Sequence, residues 1–235
     1  MVRLHLGDME INADFTKPAF VQTDTVEWLP SPMAGVDRRM LDRIGGEVAR
    51  ATSIVRYAKG SAFPEHTHGG GEEFIVLDGV FQDEHGDYPA GTYIRNPVGT
   101  AHIPRSDPGC TIFVKLWQFE PEDQEQIVIN LNTVELEPDA LRPGVRHASL
   151  ARRDYESVVL EEWDAETACR LSAEDGLELL VLSGELTHDG VTYTATDWIR
   201  LPDGHSAECV AGETGVRLWI KRGHLGTITA PAQMQ

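Results

Sequence analysis

Along most of this chain short runs rich in apolar, β-branched and aromatic residues alternate with polar punctuation by Gly, Pro, Asp and Asn. Residues 52–57, 73–77, 92–95 and 111–117 are such segments and read as strands. Glu84-His85-Gly86-Asp87 and His188-Asp189-Gly190 have the composition of hairpin turns. Helical spacing is scarce. The stretch 38–50 imitates it, but Gly45-Gly46 interrupts the stretch and Pro32 and Gly35 precede it. The pattern predicts an all-β protein.

The pattern also occurs twice. Asp24-Thr25-Val26-Glu27-Trp28-Leu29-Pro30 is similar to Asn132-Thr133-Val134-Glu135-Leu136-Glu137-Pro138, and Gly35-Val36 to Gly144-Val145. Residues 73–81 align with 178–186, and Tyr93 to Gly99 with Trp198 to Gly204. Conserved order and spacing point to a duplicated domain. The acidic stretch 120–125 suggests the boundary, giving domains 1–126 and 127–235. About a hundred residues of strands and turns per half suits a small barrel or jelly roll.

Composition narrows the partners. The 235 residues carry a formal charge of -18, from 38 acidic and 20 basic side chains. Such a field repels phosphate backbones and anionic membranes, so neither nucleic acid nor a membrane is an expected partner. No apolar run approaches the ~20 residues that span a bilayer. The opening Met1-Val2-Arg3-Leu4-His5-Leu6-Gly7-Asp8 has no hydrophobic leader core, so a cytoplasmic location is expected. Cys110, Cys169 and Cys209 fall in no paired spacing and read as small buried hydrophobes.

The chemistry concentrates in His66-Thr67-His68, Glu72 and the distant His102. On an extended strand His66 and His68 face one side and Thr67 the other. Three imidazoles and a carboxylate suit one divalent Zn, Mn, Fe, Ni or Cu. The Gly69-Gly70-Gly71 run lets the chain turn between these residues, and no Lys-Ser/Thr follows that would make it a phosphate loop. Phe81, Tyr93, Arg95, Lys115 and Trp117 are the candidate pocket wall, with Trp219 and Lys221 as their second-half counterparts to Lys115 and Trp117. In the second half Leu171, Ala173, Leu177 and Ala207 stand where His66, His68, Glu72 and His102 stand in the first, so one metal per chain is expected. His188 and His205 are expected in solvated turns. No G-x-S-x-G elbow or Cys/His pair supports nucleophilic catalysis.

The frame Gly60 to Gly79, followed by Gly91, Pro97, Gly99 and His102, resembles the two motifs of the cupin superfamily, although the terminal Asn of the second motif is absent. Over residues 22–119 the chain is similar to the cupin domain of ChrR-type anti-sigma factors, most closely at residues 66–79, 86–93 and 108–116. The resemblance implies two tandem double-stranded β-helix barrels, a bicupin, with a metal inside the first. It assigns the metal to His66, His68, Glu72 and His102, Glu72 being preferred to Glu73 for its spacing to His68 and Gly79. It implies zinc first, with Fe, Mn, Ni or Cu used by other cupins, and a homodimer. The corresponding expectation is a ligand- or stress-sensing module. The alternatives are a small-molecule dioxygenase, isomerase or hydrolase, or a metal that only staples the barrel. ChrR-type proteins hold their sigma factor with a separate N-terminal helical zinc domain. This chain opens almost directly on cupin strands without a Cys-x2-Cys, so sigma-factor binding is not implied.

Overall fold

The computed structural model describes residues 9–226, 228, 230 and 231. The Met1–Asp8 stretch read above for a leader lies outside them. Among the described residues there is no α-helix; two 3-10 turns are the only helical elements, and the rest is strand and turn. Among the described residues no helix is long and apolar enough to cross a membrane. The helix-like stretch is a hairpin: the strands Val36–Gly45 and Ala49–Tyr57 pair antiparallel. Gly45 makes the turn at a φ of 117°, a conformation that favours glycine.

The chain forms two compact units. The first contains Glu27–Asn132 and residues up to Ala13, the second Asp14–Val26 and Thr133–Ile228. A single cut after residue 126 therefore does not describe the division. The strand Ile127–Asn130 pairs with Thr92–Asn96 in the first unit. Ala19–Val21, encoded before the first unit's main sheet, pairs with Trp198–Leu201 in the second. Both are short edge strands, and nothing local in their sequence specifies so distant a partner.

In the first unit the main sheet runs Val36–Gly45, Ala49–Tyr57, Cys110–Leu116, Glu72–Asp83, Thr92–Asn96, Ile127–Asn130. Alternation turns Phe74, Val76, Ile94, Ile112 and Val114 into one core with Val36, Tyr57 and Phe81. Glu72 continues the inward series of Phe74 and Val76, so Glu73 faces the opposite side. The second unit repeats the order with Val145–Arg152, Ser157–Trp163, Ser206–Arg222, Leu177–His188, Trp198–Leu201, Ala19–Val21. Its core is larger and continuous, and it takes in Leu171, Ala173, Leu177 and Ala207. The three cysteines are buried and carry free thiols, with Cys169 directly opposite Cys209.

Candidate metal centre

Two short backbone ladders assemble the site. His66 stands opposite His102 where His66–Thr67 pairs with Ala101–His102. The His68 N–H donates to the Thr100 carbonyl at 2.8 Å, and Gly99 N–H donates back to the His68 carbonyl at 2.9 Å. Glu72 begins its strand opposite Asn96. Positions far apart in sequence thus converge, and one ligand atom from each of His66, His68, Glu72 and His102 lies within 4.8 Å of all the others. The imidazole centroids are 5.2 Å (His66–His68), 5.0 Å (His66–His102) and 4.6 Å (His68–His102) apart, each pair roughly edge to face. His68, Glu72 and His102 are buried, and His66 is half-buried.

Hydrogen bonds around the cluster fix which nitrogen points inward. The Thr100 hydroxyl donates to the Pro97 carbonyl at 2.7 Å, so it accepts from His68 Nδ1 at 2.9 Å. His102 Nδ1 donates to Asp83 Oδ2 at 3.3 Å, and His66 Nδ1 to the Pro64 carbonyl at 3.3 Å. With every Nδ1 carrying its hydrogen outward, each Nε2 presents a lone pair to the centre. Glu72 Oε2 lies 3.3 Å from His68 Nε2 and 3.5 Å from His102 Nε2. Neither nitrogen has a hydrogen-bond partner although both are buried. In these tautomers acceptors face acceptors, so the short distances are not hydrogen bonds. Leaving such groups unpaired costs about 1–3 kcal/mol each. A divalent cation satisfies all four, and the donor set suits one.

Outer residues hold the ligands in place. Asp83 also accepts from the N–H groups of His85 and Gly86, at 2.8 and 3.1 Å, and from the Tyr88 hydroxyl at 3.2 Å. Asn96 Nδ2 donates to Glu72 Oε2 at 3.4 Å, and its own oxygen accepts from Gln126 at 3.0 Å. Burial lowers the His68 pKa below its ordinary value, the other two imidazoles adding to this and Glu72 opposing it. Burial pulls His102 the same way, but the Asp83 hydrogen bond and the charges of Glu72, Asp83 and Glu84 outweigh it, and His102 is raised. Asp83 is lowered: burial opposes, yet its hydrogen bonds from His102 and the His85 N–H prevail. Asp83, Thr100 and Asn96 were not singled out in the sequence; the signal was Asp83 at the mouth of the predicted 84–87 turn.

A cavity of about 450 Å³ opens beside the cluster, with His66, His68 and Glu72 on its wall. That volume lies within the ~300–1,000 Å³ range of small-molecule sites. Of the five expected wall residues Trp117 lines it. Its φ is 60°, a strained conformation for a bulky residue. Its ring packs so closely on Gly69 and Gly70 that a Cβ at either would collide with it. Phe81 lies deeper in the core, its ring centroid 5.7 Å from that of His102. Tyr93, Arg95 and Lys115 face the other side of the sheet, because alternation follows Glu73 rather than Glu72. There the Tyr93 hydroxyl and Arg95 Nη1 both donate to Glu73 Oε1, the latter at 3.3 Å. Arg95 also pairs with Asp123 at 2.6 Å and lies 4.3 Å over the Phe119 ring. Lys115 donates to the Thr52 hydroxyl at 3.0 Å. These three build a buried polar layer behind the site.

The second unit has the same backbone frame without the chemistry. Leu171 stands opposite Ala207. Ala173 N–H donates to the His205 carbonyl and Gly204 N–H to the Ala173 carbonyl, both at 2.9 Å. The register corrects one correspondence drawn from sequence. Lys221 sits across from Glu178 as Lys115 does from Glu73, so Lys221 matches Lys115; Trp219 matches Phe113, and Gly223 matches Trp117. His205 is exposed in a turn. His188, expected there too, ends a strand half-buried, stacked on Phe20 at 5.2 Å.

Residues 16–120 match the ChrR cupin-like domain family. Among solved structures, a protein from Nostoc punctiforme provisionally named a dioxygenase superposes with a TM-score of 0.73 at 13% identity, over 94% of this chain and 88% of its own. The Escherichia coli pirin YhhW in complex with nickel(II) gives 0.62 at 14% identity, over 87% of this chain and 98% of its own. Bacillus subtilis oxalate decarboxylase, with Mn(II) centres, gives 0.60 at 11% identity, over 92% of this chain and 79% of its own. No curated protein sequence matches. Residues 16–120 thus resemble the ChrR cupin domain, and the chain as a whole shares the fold of these structures.

Proposed function

From a cupin whose first barrel turns three imidazole nitrogens and a carboxylate onto one point, we propose a metal-dependent protein that acts on a small organic molecule. His66, His68, Glu72 and His102 hold one divalent ion. The observation that carries the reading is the cavity bounded by three of those four residues. A staple needs no such space, whereas a site that admits a ligand does. A bound metal supplies Lewis-acid polarisation of an oxygen on that ligand. The chain's own residues do the rest. Asp83, Thr100 and the Pro64 carbonyl hold the imidazoles in the liganding tautomer, and Asn96 steadies Glu72. The apolar wall of Val55, Ile112, Val114 and Leu116 excludes water and accommodates the body of the ligand. Tyr57 also lines the cavity. Burial, with the charge of Glu72 next, raises its pKa well above the usual phenol range, so it serves there as a neutral donor.

Zinc is our first assignment, from the likeness to the ChrR cupin domain. The nickel and manganese of the pirin and the decarboxylase mark the competing choices. The ChrR match also favours a second reading, in which occupancy of the same site is sensed rather than turned over. The decisive measurement has two parts. Elemental analysis of natively expressed protein should give about one metal per chain, lost in His102→Ala. The visible bands of cobalt-substituted protein should shift when small oxygen-bearing organic molecules are added. Equal metal content in the two proteins defeats the metal site, and an unresponsive cobalt spectrum leaves only the staple.

A further inference from the structure

One wall of the cavity carries polar groups for which the metal centre has no use. Arg38 stands opposite Val55 in the hairpin ladder, with Met40 opposite Ser53 and Val36 opposite Tyr57. Ser53 and Tyr57 are therefore its diagonal neighbours on the same face, within reach of a long side chain. All three line the cavity. Arg38 Nε is buried with no hydrogen-bond partner. Its Nη2 reaches Glu47 only at 3.5 Å, and that carboxylate side chain is 50% exposed. Neither the Ser53 nor the Tyr57 hydroxyl has a hydrogen-bond partner among the described residues. Arg43, also on the wall, donates to the backbone carbonyls of Gly45, Gly46 and Glu47. Carbonyls orient that guanidinium without cancelling its charge. Two arginines thus face the cavity with two carboxylates, Glu72 belonging to the metal cluster and Glu47 loosely held beside Arg38, in a chain whose net charge is -18.

We propose that the cavity selects a small organic carboxylate with an apolar body, and that Arg38, flanked by Ser53 and Tyr57, recognises the carboxylate. The inference rests on the metal reading for the ligand's other end. A guanidinium edge matches a carboxylate in geometry as well as charge, and two hydroxyls beside it supply further donors. Val55, Ile112, Val114 and Leu116 form the apolar wall, and His66, His68 and Glu72 lie on the same cavity. A primary amide offers the guanidinium one carbonyl acceptor but no charge, and sets its own N–H donors where a carboxylate has a second acceptor, which is the source of the discrimination.

The test is calorimetric titration of metal-loaded, full-length protein with benzoate and 3-phenylpropionate, and with their primary amides. The acids should bind and the amides should bind at least tenfold more weakly. Arg38→Gln should weaken the acids by about tenfold to a hundredfold, the span expected of a hydrogen bond to a charged group, and leave the amides unchanged. Glu47→Gln, on an exposed side chain, removes the competing carboxylate and should tighten the acids a few-fold. That variant keeps the test readable if Arg38→Gln folds poorly. Amides binding as well as acids, wild-type acid affinity in Arg38→Gln, or failure of both acids to bind overturns the proposal. Acids held through the metal alone would give the second of these results. Metal content measured on the same samples separates the two readings: loss of metal-site stoichiometry defeats the proposed function, and loss of acid selectivity at full metal content defeats this inference.

Discussion

The two units share a backbone and differ in what it carries. His66 opposite His102 in the first is Leu171 opposite Ala207 in the second, and the backbone hydrogen bonds at His68 recur at Ala173. The outer residues are replaced as well. Where Asp83, Thr100 and Asn96 support the first cluster, the second unit has His188, His205 and Leu201. The fold therefore asks for a strand ladder and turn glycines at these positions, while metal chemistry asks for the side chains and their supports together. In the second unit the space became core: all four replacements are buried in one apolar cluster. In the first it remained a cavity.

The sharpest way to break the comparison is to give the first unit the second's residues. With His66→Leu, His68→Ala, Glu72→Leu and His102→Ala, metal content should fall from about one per chain to none, read by elemental analysis. Circular dichroism should stay that of the parent, because the second unit shows that apolar residues fit this frame. Stability without metal should hold or rise by a few kcal/mol, since each buried unpaired acceptor removed had cost about 1–3 kcal/mol. Loss of the fold would mean that the polar cluster itself shapes the barrel.

The reverse graft, Leu171→His, Ala173→His, Leu177→Glu and Ala207→His, should be severe. Leu177 is 0% exposed and Ala207 1%, so the graft buries a carboxylate and overfills a packed core. A loss of more than about 5 kcal/mol, comparable to the stability of a whole domain, is expected in urea unfolding. Added cobalt should not restore it, because His205 and His188 stand where Thr100 and Asp83 accept from Nδ1 in the first unit. Recovery of a cobalt site in the second unit would show that four ligands suffice without supports.

Asp83→Asn tests those supports singly and more mildly. The amide can still accept a hydrogen bond, but the negative charge behind His102 is gone. Metal affinity should fall by about tenfold to a hundredfold, as for other outer partners of liganding histidines. Competition with a chelator measures it, and an unchanged affinity would reduce Asp83 to a turn residue.

How much of this was legible in the sequence follows from the range of the interactions. The four cluster residues and the empty second copy were readable, because H-x-H periodicity, turn glycines and the repeat are local signals. The wall was not. Tyr93, Arg95 and Lys115 share a strand parity, but parity alone does not say which face is inside; that depends on Glu72 entering the barrel and Glu73 leaving it. Bulges between Thr111 and Ile112 and between Met40 and Asp42 shift the phase further. Arg38 fell in a stretch weighed only for helix, although Arg38 follows Val36, and Ser53, Val55 and Tyr57 alternate visibly. The edge strands Ala19–Val21 and Ile127–Asn130 cross the apparent repeat boundary, and their partners are set by the assembled sheets.

The smallest expected difference between the units is the most demanding test of a shared frame. Gly79 and Gly184 occupy equivalent positions inside the strands Glu72–Asp83 and Leu177–His188, at φ 71° and 77°. A Cβ at Gly79 would land on the Gly109 carbonyl oxygen, and one at Gly184 on that of Gly215. Both obstacles are backbone and cannot rotate away, and left-handed backbone adds about 1–2 kcal/mol for any residue with a Cβ. Gly79→Ala and Gly184→Ala should therefore each cost at least about 2 kcal/mol, and with the same backbone obstacle the two costs should agree within roughly 0.5 kcal/mol, the margin within which independent sites are additive. Hydrogen exchange on peptides from the mutated unit reads each cost locally. A large gap would mean that the metal centre makes its own barrel softer or stiffer than its twin, so that ligand chemistry and scaffold are coupled after all.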